Sequence, residues 1–188
     1  MTISLSNLDT DLKFRDPFVT QDGSQRAHVS MKKLGTLWFN TGTLCNLACE
    51  NCYIESTPRN DRLSYLRLDE VESYLEEIAR EGHQTDEIGL TGGEPFMNPD
   101  ILEIIRSVLE RGFSSLVLTN GMRPMMRPAI RSGLLKLNTE FSDKLTVRVS
   151  VDHFDQVIHE KERGLGSWAP MVKGLRWLSD NNFQIAVA

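Results

Sequence analysis

Ten consecutive residues of this chain read Leu44-Cys45-Asn46-Leu47-Ala48-Cys49-Glu50-Asn51-Cys52-Tyr53. They contain all three cysteines of the protein, separated first by three residues and then by two. A closed zinc or iron–sulfur site usually takes four protein ligands, whereas a site that does chemistry keeps one position open. Three thiolates on one short loop can hold three irons of a cubane cluster and leave the fourth iron free. The segment therefore predicts an open iron–sulfur site.

Two other interpretations of the cysteines were weighed against this one. Residues at i, i+4 and i+7 share one face of a helix, and a buried cysteine usually acts as a small hydrophobic residue. Polar Asn46, Glu50 and Asn51 lie among the thiols, however, which is not the pattern of a core helix. Zinc completed by a histidine is the second alternative. The four histidines are distant in sequence and show no paired ligand spacing: His28, His83, His153 and His159.

A second motif, Gly92-Gly93-Glu94-Pro95, directly follows a predicted strand over 87–91. Glycine lets the backbone come close to a ligand where a side chain would prevent the approach. The alternative is an ordinary Gly-Gly turn with a surface glutamate. Its position directly after a strand, in a chain that also carries the cysteine segment, favours a ligand-binding loop.

The two motifs together resemble the signature of the radical SAM superfamily. Cys45-x-x-x-Cys49-x-x-Cys52 is followed by an aromatic residue, and the motif at 92–95 comes next in the order typical of that family. The resemblance implies a [4Fe–4S] cluster on the three thiolates, with S-adenosylmethionine (SAM) on the open iron. It implies that SAM is reductively cleaved to a 5′-deoxyadenosyl radical, which abstracts hydrogen from a substrate. An electron donor such as a flavodoxin or ferredoxin is implied as a partner.

The same resemblance assigns residues to SAM binding. Gly92, Gly93 and Glu94 would receive the methionine ammonium, for which a carboxylate has the right charge. Ser150 corresponds to a position that contacts the SAM carboxylate or ribose in related enzymes. Arg163 resembles an arginine that pairs with the same carboxylate, which a guanidinium can bind through two hydrogen bonds.

Two further site residues have equally good structural interpretations. Asn120 ends a predicted strand and would meet the ribose or methionine end of SAM, but Asn-Gly is also a common turn. Tyr53 would lie near adenine, or would simply be a packing aromatic. No catalytic residue can be named from the sequence.

Segment 145–151 alternates valines with polar residues, so the two kinds of side chain point to opposite faces of a strand. The polar face would carry Arg148, Ser150 and, just beyond, Asp152. Barrels normally fill their interior with branched apolar side chains, so a polar interior predicts a ligand cavity. An edge strand with one solvated face is the alternative.

Strands and helices alternate along the chain, which predicts an α/β fold with a parallel sheet and sites at the carboxyl ends of the strands. We predict strands over 36–41, 87–91, 115–120, 145–151 and 183–188. We predict helices that begin at an Asp69–Glu72 capping box and at Asn98-Pro99, and others over 124–136 and 168–180. By resemblance this is a partial (β/α) barrel of about four βα units plus a fifth strand, apparently truncated at the C-terminus. Residues 35–188 would be the core domain, and residues 1–34 an N-terminal leader.

The composition of the chain limits its class of protein, its partners and its compartment. The chain is 40% hydrophobic, which fits one globular domain, and its formal net charge is −5. An acidic chain with no basic cluster argues against broad contact with nucleic acid, but it does not exclude a local basic pocket. No apolar run long enough for a membrane span and no secretory signal is present. Three clustered cysteines do not make a disulfide framework, so the reducing cytoplasm is expected.

Three functions remain open at this point. The leading one is a radical SAM enzyme domain acting on an unidentified substrate. The second is a truncated domain that holds the cluster, with or without SAM, but cannot turn over. The third is a zinc-binding or simple electron-transfer module.

Overall fold

The computed structural model describes residues 15–188. The chain divides into two compact units, with the boundary after Lys32. In the first, Val19 and Gln25 form an antiparallel bridge, and the rings of Phe18 and His28 stack. Of the predicted leader, residues 1–14 lie outside the described part, and its role stays a prediction. The second unit begins at Lys33 and carries every predicted site residue.

A five-stranded parallel sheet forms the centre of the second unit. In spatial order, which is also chain order, its strands are β1 (Thr36–Asn40), β2 (Glu87–Thr91), β3 (Ser114–Thr119), β4 (Leu145–Val149) and β5 (Gln184–Val187). The helices between them are α1 (Leu68–Glu81), α2 (Ile101–Glu110), α3 (Pro128–Phe141), α4 (Gln156–Arg163) and α5 (Trp168–Asp180). The predicted α/β class and five parallel strands are confirmed. Across residues 15–188, no helix is long and apolar enough to cross a membrane.

Two helix starts differ from the predicted ones. Helix α1 begins one residue earlier than expected, and the backbone N–H of Arg67 donates to the side chain of Glu70 at 2.8 Å. The predicted Asp69–Glu72 capping box is therefore wrong. Helix α3 begins at Pro128 rather than near residue 124. Proline was expected to weaken this helix, but it occupies the first turn, where its missing N–H costs nothing.

Two other helices were misplaced or missed. Helix α2 begins at Ile101 and not at Asn98, because the chain first makes a short 3-10 turn over Pro95–Met97. Helix α4 was not predicted at all, since it is short and mostly polar. Two sequence features could have revealed this helix: Asp155, whose carboxylate caps the first turn, and Gly164 at the C-terminal end.

One face of the sheet is packed against the helices in a single apolar core. The strand residues on that face are fully buried: Ile88, Leu90, Val117, Val147 and Val149. Because side chains alternate along a strand, the opposite face carries a different set. There the ring of Trp38 lies directly over Gly89, and Leu118 pairs with Arg148 on β4. The predicted division of β4 into an apolar and a polar face is confirmed.

Two loops at the carboxyl ends of β1 and β2 are joined through their backbones. We call residues 42–57 the cysteine loop and residues 92–94 the Gly-Gly loop. The N–H of Gly93 donates to the carbonyl of Gly42 at 2.8 Å, and the N–H of Glu94 donates to that of Leu44 at 3.0 Å. A Cβ atom on Gly93 would lie 2.2 Å from the Leu44 oxygen. Glycine is therefore required here because the cysteine loop itself lies against the Gly-Gly loop.

We expect Gly93→Ala to lower the free energy of unfolding by about 1–3 kcal/mol, because the added methyl group forces the two loops apart. The control is Gly35→Ala, since nothing lies within 4 Å of a Cβ atom at that position. Urea unfolding followed by circular dichroism measures both. Equal stability of the two variants would show that the loops are not held at this distance.

Candidate functional site

A cavity of about 620 Å³ opens where β1 to β4 end, the edge at which parallel α/β sheets place their sites. It is lined by the cysteine loop, the Gly-Gly loop, the ends of β3 and β4, and α4. Ten of the eleven predicted site residues line it: Cys45, Cys49, Cys52, Tyr53, Gly92, Gly93, Asn120, Ser150, Asp152 and Arg163. Glu94 does not, and neither does Arg148, which lies further down the polar face of β4.

The three thiols are free and differ in burial. Cys45 is buried, whereas Cys49 and Cys52 are half-buried. Burial raises the pKa of the Cys45 thiol to about 11, and the nearby Glu94 carboxylate adds to the effect. Burial also raises the pKa of the Cys49 thiol, although the guanidinium of Arg163 opposes that rise. Without a bound cation, the site therefore favours the protonated form of Cys45 and Cys49.

Backbone donors point at two of the sulfur atoms. The N–H of Leu47 donates to Cys45 Sγ at 3.4 Å, and the N–H of Ser56 donates to Cys52 Sγ at 3.2 Å. Such donors favour the negative charge that a thiolate carries when it binds metal. The loop is closed behind them by the N–H of Cys45, which donates to the carbonyl of Thr57 at 3.1 Å.

The arrangement of the thiols bears on which metal group they fit. Within residues 15–188, no three histidine, cysteine, aspartate or glutamate side chains lie close enough together to hold one metal ion. A tetrahedral zinc site needs its ligands converged on one point. A cubane cluster takes each thiolate on a different iron, and three thiols that line one cavity fit that arrangement. Thiolates are also the soft ligands that iron–sulfur groups take.

Glu94 is only 2% exposed and is held by three donors. Its carboxylate accepts hydrogen bonds from Thr119 Oγ1 at 2.8 Å and from the backbone N–H groups of Asn120 and Phe96 at 2.9 and 3.2 Å. Burial raises the pKa of this carboxyl to about 7 in spite of these bonds. Glu94 thus ties the Gly-Gly loop to the end of β3. Its predicted contact with a cofactor ammonium stays a prediction.

Asn120 and Tyr53 have different surroundings. The side chain of Asn120 makes the expected turn contact, with Oδ1 accepting from the N–H of Met122 at 3.0 Å. Its Nδ2 also donates to Asn46 Oδ1 at 2.9 Å, so it touches the cysteine loop as well. Tyr53 is 99% exposed at the rim of the cavity. It is therefore not a packing aromatic, and its contact with adenine stays a prediction.

Helix α4, missed from the sequence, closes the cavity and is attached at two places. At the cysteine loop, the N–H of Glu50 donates to the carbonyl of Glu162 at 2.9 Å, and Asn51 Nδ2 donates to the Glu162 carboxylate. At the end of β4, Nδ1 of buried His159 pairs with the carbonyl of Val151. The helix therefore joins the two sides of the cavity.

Arg163, the last residue of α4, forms a two-point ion pair with Asp152. Its Nη2 donates to one carboxylate oxygen at 2.8 Å, and its Nε donates to the other. The third nitrogen, Nη1, has no hydrogen-bond partner in the described part of the chain. The pair therefore fixes the guanidinium at the wall of the cavity and leaves the two N–H groups of Nη1 for a ligand. Sequence patterns did not indicate that Asp152 and Arg163 would pair, because eleven positions separate them.

Comparisons with known proteins agree with this site. The family model described as the Radical SAM superfamily matches residues 39–187. The antilisterial bacteriocin subtilosin biosynthesis protein AlbA of Bacillus subtilis is 32% identical over 77% of this chain and 30% of its own length. The mycofactocin maturase MftC of Mycobacterium ulcerans is 28% identical over 74% of this chain and 35% of its own. This chain therefore spans about a third of the length of these relatives.

A solved structure shares the fold. It is that of SuiB from Streptococcus suis bound to S-adenosylmethionine, which superposes with a TM-score of 0.65 at 17% identity over 82% of this chain and 33% of SuiB. The family model runs from the last two residues of β1 to the end of β5 and includes both the cysteine motif and the Gly-Gly motif. The chain belongs to the radical SAM superfamily.

Proposed function

We propose that this chain is the domain of a radical SAM enzyme in which Cys45, Cys49 and Cys52 hold a [4Fe–4S] cluster and the adjoining cavity holds SAM. The observation that carries the proposal is the convergence of three free thiols and seven other predicted residues on one cavity of about 620 Å³. That volume suits a cofactor. When bound, the cluster and SAM supply a 5′-deoxyadenosyl radical that abstracts hydrogen from the substrate.

The residues of the chain bind and orient the cofactor in this proposal. Arg163 offers Nη1 to the SAM carboxylate while Asp152 holds the guanidinium in place. Ser150 and the backbone of the Gly-Gly loop line the same cavity and take the methionine end. Tyr53 covers the adenine from the rim. Helix α4 shields the thiols from water, which protects a reactive intermediate from side reactions.

We extend the proposal to a peptide substrate. Tyr53 and Phe154 are exposed at or beside the rim of the cavity, and Phe154 stacks on His153, which lines it. Exposed apolar groups next to a cavity support a substrate larger than the cavity itself. AlbA is named for bacteriocin biosynthesis, and SuiB has been solved with its precursor peptide SuiA. A reducing cytoplasm is proposed as the compartment, because the thiols must stay free.

Deuterium transfer tests the substrate class. Precursor peptides encoded beside the gene would be deuterated and incubated with the reduced, cluster-loaded protein. We expect deuterium in the 5′-deoxyadenosine formed with one of them, measured by mass spectrometry. The absence of transfer from any of these peptides, with SAM still cleaved, would point to another class of substrate.

Replacing any one of the three cysteines with serine is expected to remove most of the bound iron and all 5′-deoxyadenosine formation, since a hydroxyl is a poor ligand for iron–sulfur. The matched control is Ala48→Ser, which introduces serine at an exposed position of the same loop. Iron analysis and chromatography measure the two effects. Unchanged iron in all three variants would rule out the cluster. If the wild-type protein binds the cluster and SAM but forms no 5′-deoxyadenosine with dithionite, it is the alternative considered above, a truncated domain that holds the cluster but cannot turn over.

Cluster loading is expected to weaken as the pH falls. The pKa of the Cys45 thiol is raised to about 11 by burial, so binding must remove a proton that the free protein holds. Metal ligation by thiolate releases protons and is therefore favoured at high pH. Iron content after anaerobic equilibration should be lower at about pH 6.5 than at about pH 8.5. Loading that is independent of pH would contradict thiolate ligation.

Arg163→Lys is expected to raise the Kd for SAM by about tenfold or more, because a charge-assisted hydrogen bond contributes about 1.5–3 kcal/mol and lysine cannot keep both contacts. Equilibrium dialysis with the cluster-loaded protein measures it. Lys161→Ala, exposed on the same helix, is the control. Decarboxylated SAM should bind the wild type and Arg163→Lys equally. A loss of affinity for both ligands would show that Arg163 only supports the fold.

A further inference from the structure

A second groove, of about 490 Å³, runs between α3 and α5, and we call it the α3–α5 groove. It shares no lining residue with the cavity at the thiols. Its charged lining consists of Arg131, Lys173, Arg176 and Asp180. Three cations against one anion is unusual in a chain whose net charge is −5.

The basic character extends beyond the lining. Residues 121–139 carry four cations and no anion, and residues 164–179 carry two cations and no anion. The two segments are far apart in sequence, and folding brings Arg131 next to Lys173 and Arg176 at the groove, whereas Lys136 lines a separate pocket. A local basic pocket of this kind is compatible with an acidic chain that has no basic cluster in its sequence, because only folding brings the three cations together.

The three cations of the groove are available to a partner. Arg131, Lys173 and Arg176 are exposed, and none takes part in an ion pair within residues 15–188. The guanidinium of Arg131 lies 5.1 Å from the ring centroid of Trp177, a cation–π contact that fixes the charge at the groove wall. Trp168 also lines the groove. Arginine and tryptophan are the residues that most often carry affinity at protein interfaces.

One end of the groove is physically connected to the cysteine loop. The ring of Trp168 meets the ring of His159 edge-on, with 5.3 Å between centroids, and its backbone N–H donates to Glu160 at 3.2 Å. Both partners belong to α4. The same helix binds the cysteine loop through the contact of Glu162 with Glu50. A single short helix therefore lies between the groove and the loop that carries the thiols.

We infer that the α3–α5 groove is the docking surface for an acidic one-electron donor protein. The inference rests on the proposed function, which consumes one electron per SAM cleaved. The cysteines that would hold the cluster are all in one loop of this domain. None of the described side chains is a source of single electrons, so in this proposal the electron comes from a separate donor protein. The donor loses one electron and is oxidised, the cluster at the cysteine loop gains it and is reduced, and no atom is transferred.

The character of the groove favours this partner over others. Electron-transfer encounters use small interfaces, and unpaired surface charge accelerates the association of oppositely charged proteins. A nucleic acid would meet the overall negative charge of the chain as soon as it extended past the groove. The substrate has to enter the cavity at the thiols, with which the groove shares no residue.

The test compares two double charge reversals that change the net charge equally. Lys173→Glu/Arg176→Glu alters the groove, whereas Arg59→Glu/Arg62→Glu alters exposed arginines just beyond the cysteine loop. The probe is a labelled flavodoxin of negative net charge, and its binding to each cluster-loaded protein is measured by fluorescence anisotropy at low salt. We expect the groove variant to bind at least about tenfold more weakly, the control variant to bind like the wild type, and added salt to weaken wild-type binding.

Rates of SAM cleavage separate this inference from the proposed function. Dithionite reduces the cluster without a docking partner, so the groove variant should match the wild type with dithionite and be slower with reduced flavodoxin. If the wild type does not cleave SAM with dithionite, the proposed function is wrong. The binding of flavodoxin to the two variants still shows whether the groove is its docking surface. Equal flavodoxin binding by the groove variant and the wild type, or a loss confined to the control variant, overturns the inference. A groove variant that is slow with both reductants, or that loses only the binding of a precursor peptide, overturns it as well.

Discussion

Two backbone hydrogen bonds between the Gly-Gly loop and the cysteine loop are the contact on which the site depends. They require glycine, because a Cβ atom at Gly92 or Gly93 would lie 2.7 or 2.2 Å from a carbonyl oxygen of the other loop. Glu94 extends the same contact to the end of β3 by accepting hydrogen bonds from Thr119 and Asn120. The ends of three strands are thus fixed relative to one another before any ligand is present. A site held in this way needs little rearrangement to bind a cofactor, which limits the entropy lost on binding.

The fourth side of the site is added by α4. This helix has few apolar residues and a buried face that consists mainly of His159. It is held instead by polar contacts: Glu162 with the cysteine loop, and Arg163 with Asp152 beyond β4. Elements held by few apolar contacts open more easily than core elements. We therefore regard α4 as the part of the cavity wall best suited to move when a ligand enters or leaves.

Charge is distributed unevenly over the protein. The chain as a whole is acidic, but Arg131, Lys173 and Arg176 are exposed at the α3–α5 groove and form no ion pair with a described residue. These unpaired cations do not stabilise the fold, because a surface charge contributes to stability mainly when an opposite charge is near. Their value would lie in association, where a local field of opposite sign raises the rate of encounter with an acidic partner.

Local spacing was enough to find the three cysteines, the Gly-Gly motif and the alternation of strands and helices, since each depends on residues close together in the chain. The radical SAM resemblance added Asn120, Ser150 and Arg163, and the alternation along residues 145–151 added Asp152; all four line the cavity. Folding alone decided that Glu94 is buried, that Asp152 holds Arg163, that α4 closes the site and that two distant segments form a basic groove. These features depend on contacts between residues far apart in sequence, and neither periodicity nor motif spacing records such contacts.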